Sequence, residues 1–81
     1  MSRLPRSRDE LKSYVRREVQ DGADPWLTIT EVATMTQFHR RTLQRYVDEG
    51  IIPHDRRGPK QRVFIRWTVV KKEFPQDTRD I

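Results

Sequence analysis

The sequence predicts a mostly α fold with one small β-hairpin, and three observations carry that expectation. Apolar residues recur at i, i+3 and i+4 in separate stretches between Ser7 and Glu49, the spacing of one buried helix face. Ser7 with Glu10 and Thr28 with Glu31 stand where two such helices would begin; in a capping box each side chain satisfies a free backbone N–H of the other residue. Further on, Val63, Ile65 and Trp67 alternate with Arg62, Phe64 and Arg66, the period of two of a half-buried strand.

The first helix starts at Ser7 and carries the stripe Leu11, Tyr14, Val15 and Val19. Gly22 ends it, because glycine takes the left-handed closing conformation without steric cost. Residues 7–22 are thus an N-terminal helix, preceded by a basic disordered arm over residues 1–6. Pro25 keeps Asp24 out of helix, so 23–25 form a loop. The second helix is short, Ile29 to Thr36, with Ile29, Val32, Ala33 and Met35 facing inward. Leu27 and Val32 bracket its cap as a hydrophobic staple. Thr36-Gln37-Phe38-His39 form a turn, with Phe38 as an apolar plug between helices. The third helix runs from Arg40 to Glu49 and turns Leu43, Tyr46 and Val47 inward. At about 100° per residue, Arg41 and Arg45 then point away from the core, with Arg40 and Gln44 on one flank. Gly50 stops the helix. Ile52 to Arg56 pair with the alternating strand across the tip Arg57-Gly58-Pro59-Lys60-Gln61. Thr68 caps a last short helix with Val70 and Phe74 on one face, Pro75 ends it, and residues 76–81 are a frayed tail. Two helices, a short turn and a basic hairpin make residues 26–75 a winged helix-turn-helix, a fold in which one helix positions the next in the DNA major groove.

Composition points the same way. Eighty-one residues make one domain with a modest core. Only 33% of them are hydrophobic and 36% are charged, which suits a small body without a catalytic cleft. The net charge is +5, and thirteen of the seventeen cationic side chains are arginine. Arginine is the cation best shaped for bidentate contacts to phosphate and guanine.

Several chemistries are excluded or disfavoured. Without cysteine there is no disulfide or thiolate metal site, which fits a reducing cytoplasm. The basic N-terminus has no apolar run behind it, so no signal peptide is expected, and no run is long enough to span a bilayer. His39 and His54 lack companions at metal-ligand spacing. Serines stand only at 2, 7 and 13, outside the 26–75 body, and Asp48 and Glu49 diverge on their helix. There is no Gly-rich phosphate loop. Neither enzymatic activity nor a cofactor or metal is expected. Trp26, Trp67 and Tyr46 are expected in the core.

The candidate site is a DNA-binding surface. Arg40, Arg41, Gln44 and Arg45 are the recognition-helix candidates, since arginine pairs with guanine O6 and N7 and glutamine with adenine. The bland alternative pairs Arg45 with Asp48 or Glu49 on an ordinary surface helix. Arg56, Arg57, Lys60 and Arg62 are the wing candidates, placed to lie along phosphates or enter a minor groove. Thr28, His39, Arg3 and Arg6 are candidates for backbone contacts, with Arg8 beside them.

Three segments carry a family resemblance. They read Leu27-Thr28-Ile29-Thr30-Glu31-Val32-Ala33, then His39-Arg40-Arg41-Thr42-Leu43-Gln44-Arg45-Tyr46, then Gly50-Ile51-Ile52-Pro53. This pattern resembles the excisionase-like and MerR-like winged helix-turn-helix proteins, and the likeness continues through the wing to Phe74. Gln37 stands where the family usually has glycine, and His39 where it usually has a Ser or Asp cap. The first helix lies outside the family's minimal pattern, and neither the long dimerisation helix nor the effector domain of MerR regulators follows the wing. The resemblance implies a double-stranded DNA partner and an excisionase that binds repeated sites, bends DNA and works with an integrase or other recombination protein. A compact MerR-like regulator is the alternative; an adaptor or packaging subunit, docking a larger enzyme through its first helix, is another. The expected protein is cytoplasmic, without a membrane partner, monomeric in solution and cooperative on DNA.

Overall fold

The computed structural model of the chain describes residues 7–81. Among them the elements run α1 (Arg8–Gln20), β1 (Trp26–Thr28), α2 (Ile29–Thr36), α3 (Arg40–Asp48), β2 (Asp55–Arg57), β3 (Arg62–Arg66) and α4 (Trp67–Glu73). This is the mostly α winged helix-turn-helix with an added N-terminal helix. The arm expected over residues 1–6, with Arg3 and Arg6, lies outside the described residues.

Local chemistry sets the helix ends. Ser7 Oγ accepts the Glu10 amide at 3.2 Å, and Asp9 and Glu10 favour the positive end of the α1 dipole. Gly22, at φ 82°, closes α1 as the Ala23 amide donates back to the Glu18 carbonyl. On α2 the capping box is complete: Thr28 Oγ1 accepts the Glu31 amide at 3.2 Å, and Glu31 Oε1 accepts the Thr28 amide at 2.9 Å. His39 caps α3 by accepting the Arg41 amide on Nδ1 at 3.1 Å, so that nitrogen carries no proton in this arrangement.

One cluster forms the core. Leu11 and Val15 of α1 meet Val32 and Met35 of α2, Leu43 and Val47 of α3, Ile65 of β3 and Val70 of α4. The α1 stripe is therefore spent inside its own domain, with Tyr14 packed at its margin and Val19 left 40% exposed.

The sheet departs from expectation. It has three antiparallel strands in the order β1-β3-β2, where a two-stranded wing was expected. Trp26 pairs with Arg66 and Leu27 with Ile65, so the segment before α2 is a strand as well as a staple. β2 also starts later than Ile52. That side chain is only 2% exposed and anchors the linker in the core, and Pro53 has no N–H to offer a ladder.

Four further expectations are corrected. Thr68 does not cap α4. The helix begins at Trp67, with Arg66 at the cap position, two residues earlier than expected, and Asp24 reaches across to accept the Thr68 amide at 3.0 Å and its hydroxyl at 2.9 Å. Residues 76–81 are folded back, not frayed. Thr78 is buried and donates to the Phe74 carbonyl, Lys12 pairs with Asp80 at 2.8 Å, and Ile81 packs on the core. Phe38 is no plug between helices: it is 38% exposed and meets Phe74 edge to face at 4.9 Å between centroids. Trp67 is core, but Trp26 is half-buried on the outer face of the sheet, because its register with Arg66 places it opposite Leu27 and Ile65.

Candidate nucleic-acid interface

The helix-turn-helix and the wing enclose an open cleft of about 480 Å³. α2 contributes its N-terminal edge at Thr28 and Thr30, α3 contributes Arg40 and Gln44, and the wing contributes Arg56, Lys60, Gln61 and Arg62. Four cations and no carboxylate line it, so its field attracts an anion. A second hollow, of about 330 Å³, opens on the other side of Arg40 and is lined by His39, Arg40, Arg41 and Gln44. The two share Arg40 and Gln44, making one continuous surface along α3.

Burial of Leu43 and Val47 sets the phase of α3, which leaves Arg40, Arg41 and Arg45 exposed and Gln44 half-exposed. None of these three arginines is in an ion pair among the described residues. The bland alternative for Arg45 is thus not realised: its guanidinium lies 5.8 Å from the Tyr46 ring centroid. Gln44 donates to Asp48 Oδ1 at 3.0 Å.

Strand parity separates two of the wing candidates, Arg56 and Arg57. Arg56 pairs with Val63, on the face turned to the helices, and its guanidinium approaches Asp48 at 3.4 Å. Lys60 at the tip and Arg62 at the start of β3 also line the cleft. Arg57 goes elsewhere. It shares the outer face with Asp55, pairs with it at 2.8 Å and lies 4.5 Å from the Trp26 ring centroid. Arg66 lies 4.6 Å from that same ring, so two guanidiniums cover one indole. The Arg57 hydrogen bond holds the Asp55 carboxyl below its ordinary range, against a smaller opposing effect of burial.

Thr28 and His39 hold cap positions beside the cleft and the second hollow respectively. Sequence reasoning missed Thr30, Gln61 and Asp48. Thr30, two residues past an identified cap, carried a usable signal; Gln61 and Asp48 matter only through the closeness of wing and α3. The described residues contain no group of three or more His, Cys, Asp or Glu placed to hold a metal ion. No helix among them is long and apolar enough to cross a membrane.

Comparison with known proteins identifies the class. The family model described as "Helix-turn-helix domain" matches residues 26–71, more than half of the chain and the segment that builds the cleft. The chain belongs to this helix-turn-helix family and is a small DNA-binding protein. No curated protein and no solved structure matches it.

Proposed function

We propose that this chain is a sequence-specific binder of double-stranded DNA that acts as an excisionase of a phage or integrative element. In this reading α3 enters the major groove and the wing follows the neighbouring backbone. The observation that carries DNA binding is the cleft, where Arg40 and Gln44 of α3 and Arg56, Lys60 and Arg62 of the wing face one space without an acid among its lining residues. It is a binding role, with no chemical step, cofactor or metal, exercised in the cytoplasm.

The choice of excisionase over a palindrome-reading regulator rests on α1. A regulator of that kind needs a two-fold interface. The one apolar stripe on α1 is mostly buried internally, with Leu11 and Val15 at 1% and 0% exposure. The same burial removes the apolar docking face that an adaptor would offer to a larger enzyme. A monomer that gains affinity from neighbours on repeated sites fits better, with an integrase as the recombination partner.

Footprinting across the protein's own genomic neighbourhood tests this. Several protected direct repeats beside an integrase attachment site are expected. A single protected palindrome at a promoter would instead assign the protein to transcription control.

A further inference from the structure

Asp48 is misplaced for a simple DNA-binding helix. It sits in the last turn of α3, where the helix dipole disfavours negative charge. It also contacts Gln44 and Arg56, two residues of the cleft, where phosphates would be repelled by an acid. One oxygen, Oδ1, serves both: Gln44 Nε2 donates to it at 3.0 Å and Arg56 Nη2 approaches at 3.4 Å. The carboxylate thus ties the recognition helix to the base of the wing.

Its chemistry also sets the orientation of Gln44. An ionised carboxylate only accepts hydrogen bonds, so the Gln44 group facing it must be the NH₂. One amide hydrogen is then committed, while Oε1 and the second hydrogen stay available. One acceptor beside one donor is the pattern that complements adenine in the major groove, which offers N6–H and N7. It matches guanine poorly, because O6 and N7 both accept.

We propose that Asp48 is a positioning residue for sequence readout: it orients the Gln44 amide to read an adenine and accepts weaker overall DNA binding in return. The inference rests on the DNA-binding reading above. It assigns Asp48 no contact with DNA, and it predicts effects of opposite sign on affinity and on discrimination.

The test uses a randomised duplex library with the wild-type chain and the variants Gln44→Ala, Asp48→Ala and Asp48→Asn. Wild-type protein should enrich a motif containing an adenine whose preference disappears with Gln44→Ala. A bidentate contact contributes on the order of five- to a hundredfold discrimination, so Asp48→Ala should reduce that preference at least about threefold. The same variant should bind random duplex more tightly at low salt, since a negative charge beside the cleft has gone and Arg56 loses its acidic partner. Asp48→Asn should share the gain in random binding and keep more of the adenine preference, because its carbonyl still accepts from Gln44. Asp48 is exposed at a helix end, so circular dichroism should show all variants folded. Equal gains on the enriched and random duplexes in Asp48→Ala would overturn the inference, as would a motif with no Gln44-dependent adenine. Wild-type binding without any enrichment would overturn sequence-specific recognition itself, and this inference with it.

Discussion

At the residue scale, two kinds of side chain stand out: exposed arginines on α3 and a residue held at positive φ. Arg41 and Arg45 are exposed, four residues apart and in no ion pair among the described residues, so their mutual repulsion is relieved when an anion arrives. Arg41→Ala or Arg45→Ala should weaken binding to the enriched duplex by about 1–3 kcal/mol and flatten preference at one or two base pairs. Competition titration reads both effects, and equal loss on random duplex would reduce these residues to phosphate contacts. Gln37 decides stability instead. It closes α2 at φ 62°, in the left-handed region, where a side chain with a Cβ is strained by about 1–3 kcal/mol. Gln37→Gly removes that strain but adds freedom to the unfolded chain. We expect a net gain of about 0.5–1 kcal/mol, read as a rise of several degrees in Tm; a fall in Tm would show that the Gln37 side chain stabilises the turn. The glycine expectation of the family thus located the conformation even though glycine is absent.

At the element scale, the wing and the C-terminal segment behave as separate devices. Lys60 and Arg62 line the cleft, whereas the guanidinium of Arg57 is held by Asp55 and Trp26. Replacing Lys60 and Arg62 by alanine should lower the slope of log affinity against log salt by about 0.9 for each phosphate no longer neutralised. Arg57→Ala should leave that slope unchanged and loosen the sheet, since a stacked exposed guanidinium contributes roughly 0.5–1 kcal/mol. A slope that falls with Arg57→Ala would place Arg57 on DNA. The C-terminal segment is clamped by Asp80, whose carboxyl is held below its ordinary value chiefly by the Lys12 hydrogen bond. A depressed folded-state pKa gives stability that is present above the unfolded value and lost as pH falls through the folded one. Asp80→Asn should therefore be less stable than wild type at pH 7, and the difference should begin to shrink near about pH 4 and close as pH falls through the lowered folded-state value. A difference that persists into acid would mean that the clamp is not ionic. Helices were legible in the sequence because their caps and 3.6-residue period are local signals. β1 was not, since three residues cannot display a period, and neither was the Asp24 cap on α4, which joins residues 44 apart. The C-terminal segment was misread for a related reason: its order comes from α1, far away in sequence.

At the scale of the whole molecule, the candidate site was legible by residue and not by arrangement. Periodicity identified the exposed arginines of α3 from the burial of Leu43 and Val47, and charge identified the wing. Strand parity then separated Arg56 from Arg57, and only the register of β2 on β3 gives that parity. Wing, α3 and the start of α2 converge because β1 hydrogen-bonds to β3 and leads directly into α2. A short strand of only three residues thus fixes the wing to the helix-turn-helix. In free solution the internal burial of Leu11 and Val15 predicts a monomer, which sedimentation at micromolar concentration would show; a stable dimer would favour a palindrome-reading regulator. The central claim is that duplex DNA occupies the cleft between α3 and the wing. Backbone amide chemical shifts, followed by NMR as the enriched duplex is added, test it most directly. The largest shifts should fall on residues 28–30, 39–45, 56 and 60–62, with Trp26, Phe64 and Arg66 on the outer sheet face little changed. Shifts concentrated on that outer face, with the cleft silent, would contradict it.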